Sequence, residues 1–349
     1  MNLKEKRPYI GNVAQLFDVK DYKFEGGRAH GVRATDVTTS AGLSVTVTAD
    51  RAMDFASIRF KGVNMGYMTP VGVASPNLYQ HDGPNFLRNF TAGFLTTCGL
   101  TSIGSPSEDN GESFGQHGRF ANIPAEQYCV STDVTDEDAT VHMSGIMRQV
   151  AFFGENISLK REITINNTES IIRFTDTVKN EDLFKVAYMH LYHFNIGYPF
   201  LSPATKIYLP SLSVRARTPY AEQGINDWNH ADEASLDIEE MCYYHEVKKL
   251  PNGRVGYVAY NHDLHMGVCY EYDGNELDWF NQWKCMQSGN YVMGIEPCNG
   301  GLEGRDVASR DKTLKYLQPG AENKMDFVIE FFEGDDRLEE LIKKYELKR

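Results

Sequence analysis

The sequence has no closely spaced cysteine pair. Its six cysteines, at positions 98, 129, 242, 269, 285 and 298, are scattered, and none forms a C-x-x-C motif. That pattern argues against a disulfide frame or a zinc knuckle and suits reduced, buried thiols. Positive charge is also short. Lys and Arg number 35 against 48 Asp and Glu, a net charge of −13. A nucleic-acid partner, whose phosphates call for clustered Lys and Arg, does not fit that balance. No run approaches the ~18 uninterrupted apolar residues of a membrane span. The first eight residues, Met1 to Pro8, are polar and lack the apolar stretch of a signal peptide, so the expected location is cytoplasmic. No internal repeat or low-complexity linker interrupts the chain, and a single domain over residues 1–349 is expected.

Apolar residues make up 41% of the chain, enough for a sizeable core. Most segments alternate with period two. Leu43–Thr48, Thr140–Ser144, Ile157–Ile165 and Ile171–Val178 read as strands, with Asn166-Asn167 as a turn between the last two. Further strands are expected at 184–194, 206–209, 255–260, 266–272, 291–295 and 325–332. Many short strands separated by turn signals indicate an all-β antiparallel sandwich or barrel. One helix is expected, at Asp335–Tyr345, acidic in its first turn and basic in its last. Residues 61–120 are rich in Gly, Pro, Asn and aromatic residues. They read as ordered loops over a sheet face.

Four stretches carry candidate chemistry. Gly294-Ile295-Glu296-Pro297 places a carboxylate at the end of an apolar strand, which Pro297 is expected to stop. Burial raises such a carboxyl's pKa and suits a general base near neutrality. Gln116-His117-Gly118-Arg119 holds a histidine in a tight glycine-flanked loop, with Gly115 before it, open to close approach by a ligand. In His190-Leu191-Tyr192-His193-Phe194-Asn195, alternation puts His193 and Asn195 on one face of a strand. His190 falls on the other, with Tyr188, Tyr192 and Phe194. Arg51, in Asp50-Arg51-Ala52-Met53-Asp54, could hold a substrate hydroxyl or pair with a carboxylate. Arg88, Arg119 and Arg305 are candidates for holding an anionic group. His117, His193 and Glu296 could instead be three metal ligands, or unrelated core groups.

Taken in order, the motifs at 50–54, 116–119, 193–195 and 294–297 resemble the aldose 1-epimerase (galactose mutarotase) superfamily. They are most like its bacterial aldose 1-epimerase-like branch (domain of unknown function 4432), over about residues 20–333. The resemblance implies a large twisted antiparallel β-sandwich holding a sugar in the concave face of one sheet, with no cofactor. It implies that Glu296 takes the proton from the anomeric hydroxyl and that His193 protonates the ring oxygen as an imidazolium. It implies sugar contacts from His117 and Arg51. The family pattern His-x-Tyr-Phe-Asn is shifted here, because His193 directly precedes Phe194 and His190 lies three residues earlier. The acid therefore lies between the two histidines, with His193 favoured by its strand face. No secure counterpart of the family's sugar-gripping Asp is visible. Asp278-Trp279-Phe280-Asn281-Gln282-Trp283 offers Asp278, Gln282 or a stacking Trp in its place. The expected function is interconversion of sugar anomers on a monosaccharide or sugar derivative. The competing readings are a non-catalytic sugar-binding protein and a metal-dependent sugar isomerase or lyase.

Overall fold

A computed structural model describes residues 2–348. Three antiparallel sheets dominate. A five-stranded meander runs through Asp18–Lys23, Arg33–Thr38, Leu43–Thr48, Asp54–Phe60 and Val63–Asn64. An eight-stranded sheet orders its strands from Glu126–Val134 through Ala139–Val150, Asn156–Asn166, Ile171–Asn180, Glu322–Glu333, Met266–Asp273 and Arg254–Asn261 to Thr205–Tyr208. A seven-stranded sheet orders Ser211–Ala216, Met241–Val247, Trp279–Gln287, Asn290–Cys298 and Val186–Gly197, then splits its far edge. There Leu95–Leu100 and Lys315–Leu317 each pair with Val186–Gly197. These are the large packed antiparallel sheets that the motif resemblance implies. The C-terminal helix occupies Asp335–Tyr345 as expected.

Period-two burial explains how the layers assemble. Ile157–Ile165 alternates because its inner side chains pack and its outer ones meet water. Val186–Gly197 is buried at every position, because both of its faces are covered. One face carries Tyr188, His190, Tyr192 and Phe194 into the core between sheets. There Tyr192 and Phe194 pack on Phe327 from the eight-stranded sheet, with ring centroids 4.6 and 5.5 Å apart. Phe55 and Phe60 bring the N-terminal meander against the same core through Phe174 and Phe331. One continuous apolar cluster thereby takes residues from Leu3 to Phe331. The opposite face of Val186–Gly197 is left for His193.

Two expectations need correction. The strand carrying Glu296 is not stopped by Pro297; it runs Asn290–Cys298. Pro297 keeps its place opposite Phe280, while the bridge pairs toward Val186–Gly197 skip it. A missing N–H is tolerated where no rung is made. Residues 61–120 are loop-rich as expected but contain the strand Leu95–Leu100, all of it buried, at the split edge of the seven-stranded sheet. Among the described residues, no helix is long and apolar enough to cross a membrane.

Candidate active site

The site is built by strand register. Between Val186–Gly197 and Asn290–Cys298, Phe194 lies opposite Ile295 and Leu191 opposite Cys298. Those pairs bracket His193 and Glu296 as cross-strand neighbours on one face. Their side chains meet, with His193 Nε2 3.2 Å from Glu296 Oε1. Alternation along Asn290–Cys298 puts Gly294 on the same face as Glu296. A Cβ at position 294 would lie 2.7 Å from Glu296 Oε1 and 2.9 Å from His193 Cε1. Glycine is needed there so that the two groups can occupy one space. The next strand sets Trp283 opposite Gly294, and the one beyond it sets Cys242 opposite Trp283. Arg217 follows, its amide bonded to the Cys242 carbonyl.

This face forms the floor of a cavity of about 300 Å³. Glu296, His193, Trp283 and Cys242 come from the sheet, Arg217 from just past the end of Ser211–Ala216, and Glu240 from the loop before Met241–Val247. Loops supply the roof, with Phe86 and Phe90 from one side and Gln116 and His117 from another. His117 takes a left-handed conformation, φ 56°, within the glycine-rich turn. Its backbone accepts from Gly99 N–H and donates to Gly104 C=O, which ties the loop to its neighbours. Its ring centroid lies 5.6 Å from that of His193. Trp283 Nε1 donates to Glu240 at 2.7 Å, which holds the indole in place. Arg217 donates to Ser105 Oγ at 2.8 Å and faces Glu303 at 3.4 Å.

Burial sets the protonation of the central pair. Loss of hydration pushes the Glu296 carboxyl up to about 8, partly offset by the positive charge of Arg217. The same burial, with His117 alongside, lowers His193 to about 3. Two opposite charges in this enclosed place would each lose their hydration, so the neutral form is favoured. Across the 3.2 Å contact, burial thus favours a protonated carboxyl beside a neutral imidazole. The imidazolium expected at His193 is therefore not the resting state that burial favours. His193 Nδ1 has no hydrogen-bond partner within the protein. Desolvation, with Arg217 nearby, also lowers His117. Among the described residues no group of three His, Cys, Asp or Glu side chains is arranged to hold a metal ion.

A family model described as a domain of unknown function (DUF4432) matches residues 29–331. The chain belongs to that family. No curated protein matches it. Among solved structures, a "putative aldose 1-epimerase" from Klebsiella pneumoniae superposes with a TM-score of 0.89 at 22% identity, covering 94% of this chain and 86% of that one. A galactose mutarotase-like protein from Clostridium acetobutylicum gives 0.61 at 13% identity, covering 91% and 99%. A galactose 1-epimerase from Lactobacillus acidophilus gives 0.57 at 11% identity, covering 91% and 99%. At such identities the likeness is one of fold.

Of the residues singled out in this DUF4432 chain, Glu296, His193 and His117 line one cavity. Trp283, a stacking Trp offered by the stretch 278–283, lines it as well, and the others lie outside it. Arg51 is buried and donates to Ala74 O, Asn89 O and Asn122 Oδ1, so it ties loops together. Arg88 is exposed, and Arg119 faces His81 at 3.3 Å. Arg305 pairs with Asp109 at 3.1 Å and stacks over Phe114. Gln282 points to the other face of its strand and bonds Trp228 O and His245. Asn195 shares the His193 face but spends its amide N–H groups on Ala92 O and His193 O. Asp278 pairs with Lys315 away from the cavity. His190 sits in the core face at full burial, in contact with the Tyr188 hydroxyl at 3.3 Å. Sequence reading missed Arg217, Glu240, Phe86 and Phe90. Arg217 had a signal, since Arg215 and Arg217 alternate at the end of a strand; Glu240 sits in an acidic run that reads as a solvated loop.

Proposed function

We propose that the protein binds a sugar in the Glu296–His193 cavity and interconverts its anomers by ring opening. The observation that carries this reading is the buried Glu296–His193 pair, 3.2 Å apart, in a cavity of monosaccharide size with an indole wall. Anomer exchange asks for one proton donor and one acceptor at the same sugar ring. Opening moves the proton of the anomeric hydroxyl to one member of the pair. The other member gives a proton to the ring oxygen as the bond from carbon 1 to that oxygen breaks. Carbon 1 becomes an aldehyde, rotates and is attacked again by the hydroxyl from either face. Closure runs the transfers backward, so the pair ends with the proton count it began with.

Burial favours Glu296 as the proton donor to the ring oxygen and neutral His193 as the acceptor. The family's assignment, Glu296 as base and His193 as acid, uses the same pair with its one proton moved across the 3.2 Å contact. His117 and Arg217 stand where sugar hydroxyls would meet them. The fold neighbours named as aldose 1-epimerases and mutarotase-like proteins support the reaction class. Glu296→Gln tests the proposal. It keeps the shape and the hydrogen bonding but cannot exchange the proton, so anomer exchange measured by NMR should fall by ~10²–10⁴-fold. Sugar affinity measured by calorimetry should change far less. Unchanged exchange in the variant would remove Glu296 from the mechanism. Tight binding with no enzyme-dependent exchange for any sugar would leave a binding protein.

A further inference from the structure

A second cavity, of about 150 Å³, lies beside the first on the same sheet face. Trp279 and Trp283 are four residues apart on the strand Trp279–Gln287, so both project from that face, with Asn281 between them. Trp283 walls the first cavity and Trp279 the second. The tryptophan Cα positions are separated by roughly 13 Å of extended strand, a length that linked sugar rings span. The two cavities are linked through Glu303, about half exposed, which accepts from the Tyr244 hydroxyl and faces Arg217 across 3.4 Å. Arg217 belongs to the first cavity and Glu303 to the second.

The second cavity has the chemistry of a ring platform. Gly301 runs along the edge of the Trp279 ring, where a Cβ would sit 3.4 Å from Cζ3. That is ordinary contact, and Gly301 is not in a left-handed conformation, so neither packing nor backbone demands glycine there. What its missing side chain provides is an indole edge left open to the cavity, the rest of the half-buried ring packing on an apolar cluster. Around it stand Arg215, held over the Tyr244 ring at 4.3 Å, and the side chains of Glu303, Asp311 and Thr313. An aromatic face rimmed by donors and acceptors suits the C–H face and the hydroxyls of a pyranose.

We infer that the second cavity is a subsite for a further sugar ring, and that the preferred ligand is a short reducing oligosaccharide. Its reducing ring lies in the Glu296–His193 cavity and its next rings reach Trp279. The choice of a reducing end rests on the proposed anomer exchange, which needs a free anomeric hydroxyl in the first cavity. The second subsite itself rests on the Trp279 cavity alone. The test compares, by calorimetry, glucose and galactose with the reducing sugars lactose, maltose, cellobiose and their trisaccharide homologues, on wild type, Trp279→Ala and Gly301→Leu. At least one oligosaccharide should bind roughly tenfold or more tightly than the monosaccharide at its reducing end. Both variants should lose that excess, the first by removing the platform and the second by covering it, while monosaccharide affinity stays within about twofold. Circular dichroism confirms folding, and either folded variant suffices. The subsite is overturned if no oligosaccharide outbinds its reducing-end monosaccharide in wild type, or if the excess survives in a folded variant. Anomer exchange is read separately by NMR, so its absence would overturn the proposed reaction and leave the binding comparison intact.

Discussion

At Glu296 and His193, the same burial acts in opposite directions on a carboxyl and an imidazole. It raises one to about 8 and lowers the other to about 3. Between those values the pair holds a single proton, the state that can both give and accept. The pH profile of kcat/KM should therefore be flat through neutrality and fall above roughly pH 8, as the last proton leaves and no acid remains. It should fall again only in strongly acid solution. The two limbs are macroscopic values of the pair. An alkaline limb near the ordinary histidine value, roughly 6.5, would contradict this arrangement. Gly294 is the second residue on which the pair depends. Gly294→Ala puts a methyl group within 3 Å of both reacting side chains. Displacements of about an ångström at reacting groups cost on the order of 10²-fold in rate. The variant should fold and bind sugar more weakly, with exchange reduced by that order; wild-type exchange would show that the pair has more room than the geometry allows.

At the scale of elements, the strand Val186–Gly197 divides the molecule's chemistry. One face feeds the Glu296–His193 cavity; the other rests on a buried charge network. Arg161, fully buried, bonds Asp176 through two nitrogens at 2.8 and 2.6 Å and Asp54 at 2.9 Å. The Tyr192 hydroxyl donates to Asp176, and Thr97 donates to Asp54 through both its amide and its hydroxyl. The network thus clamps Val186–Gly197 to Leu95–Leu100 from beneath. Arg161→Met would leave two carboxyls buried without their cation, and a loss of about 3–5 kcal/mol in denaturant unfolding is expected. A loss below about 1 kcal/mol would mean that the carboxyls simply take up protons at little cost. Alternation at period two was enough to read Ile157–Ile165 and to put His193 and His190 on opposite faces. It failed where the deciding partners are remote. Arg51 reads like a ligand because its charge is visible and its partners, up to 71 residues away, are not. Pro297 reads like a stop because the missing rung that accommodates it belongs to a strand a hundred residues earlier.

The whole molecule combines these strained ionisations into one dependence of stability on pH. Burial lowers His117, His190, His193 and His245 below their unfolded value, so each resists protonation only when folded. Stability is lost as these histidines are forced to charge in acid and recovers as pH rises through roughly 6.5. Glu296 and Asp54 act in the other direction. Their folded values, about 8 and about 6, lie above the unfolded carboxyl range, so the folded state holds protons that the unfolded chain has released. The stability they contribute is complete in acid and declines as pH rises through the folded value. Asp54 has finished by about pH 6. Above about 6.5 the unfolded chain still sheds its histidine protons, so the histidine contribution goes on rising, equally in wild type and in a Glu296 variant. The Glu296 contribution alone falls by up to about 2 kcal/mol between pH 6.5 and 8, the full slope for one proton. Glu296→Gln, with nothing to titrate there, lacks that fall and keeps only the histidine rise. The measurement is urea unfolding of both proteins at pH 6.5 and 8. The gap between them should shift in favour of the Gln variant as pH rises. A gap that stays constant would mean that Glu296 is already ionised at pH 6.5, and the one-proton pair proposed for the sugar site would have to be abandoned.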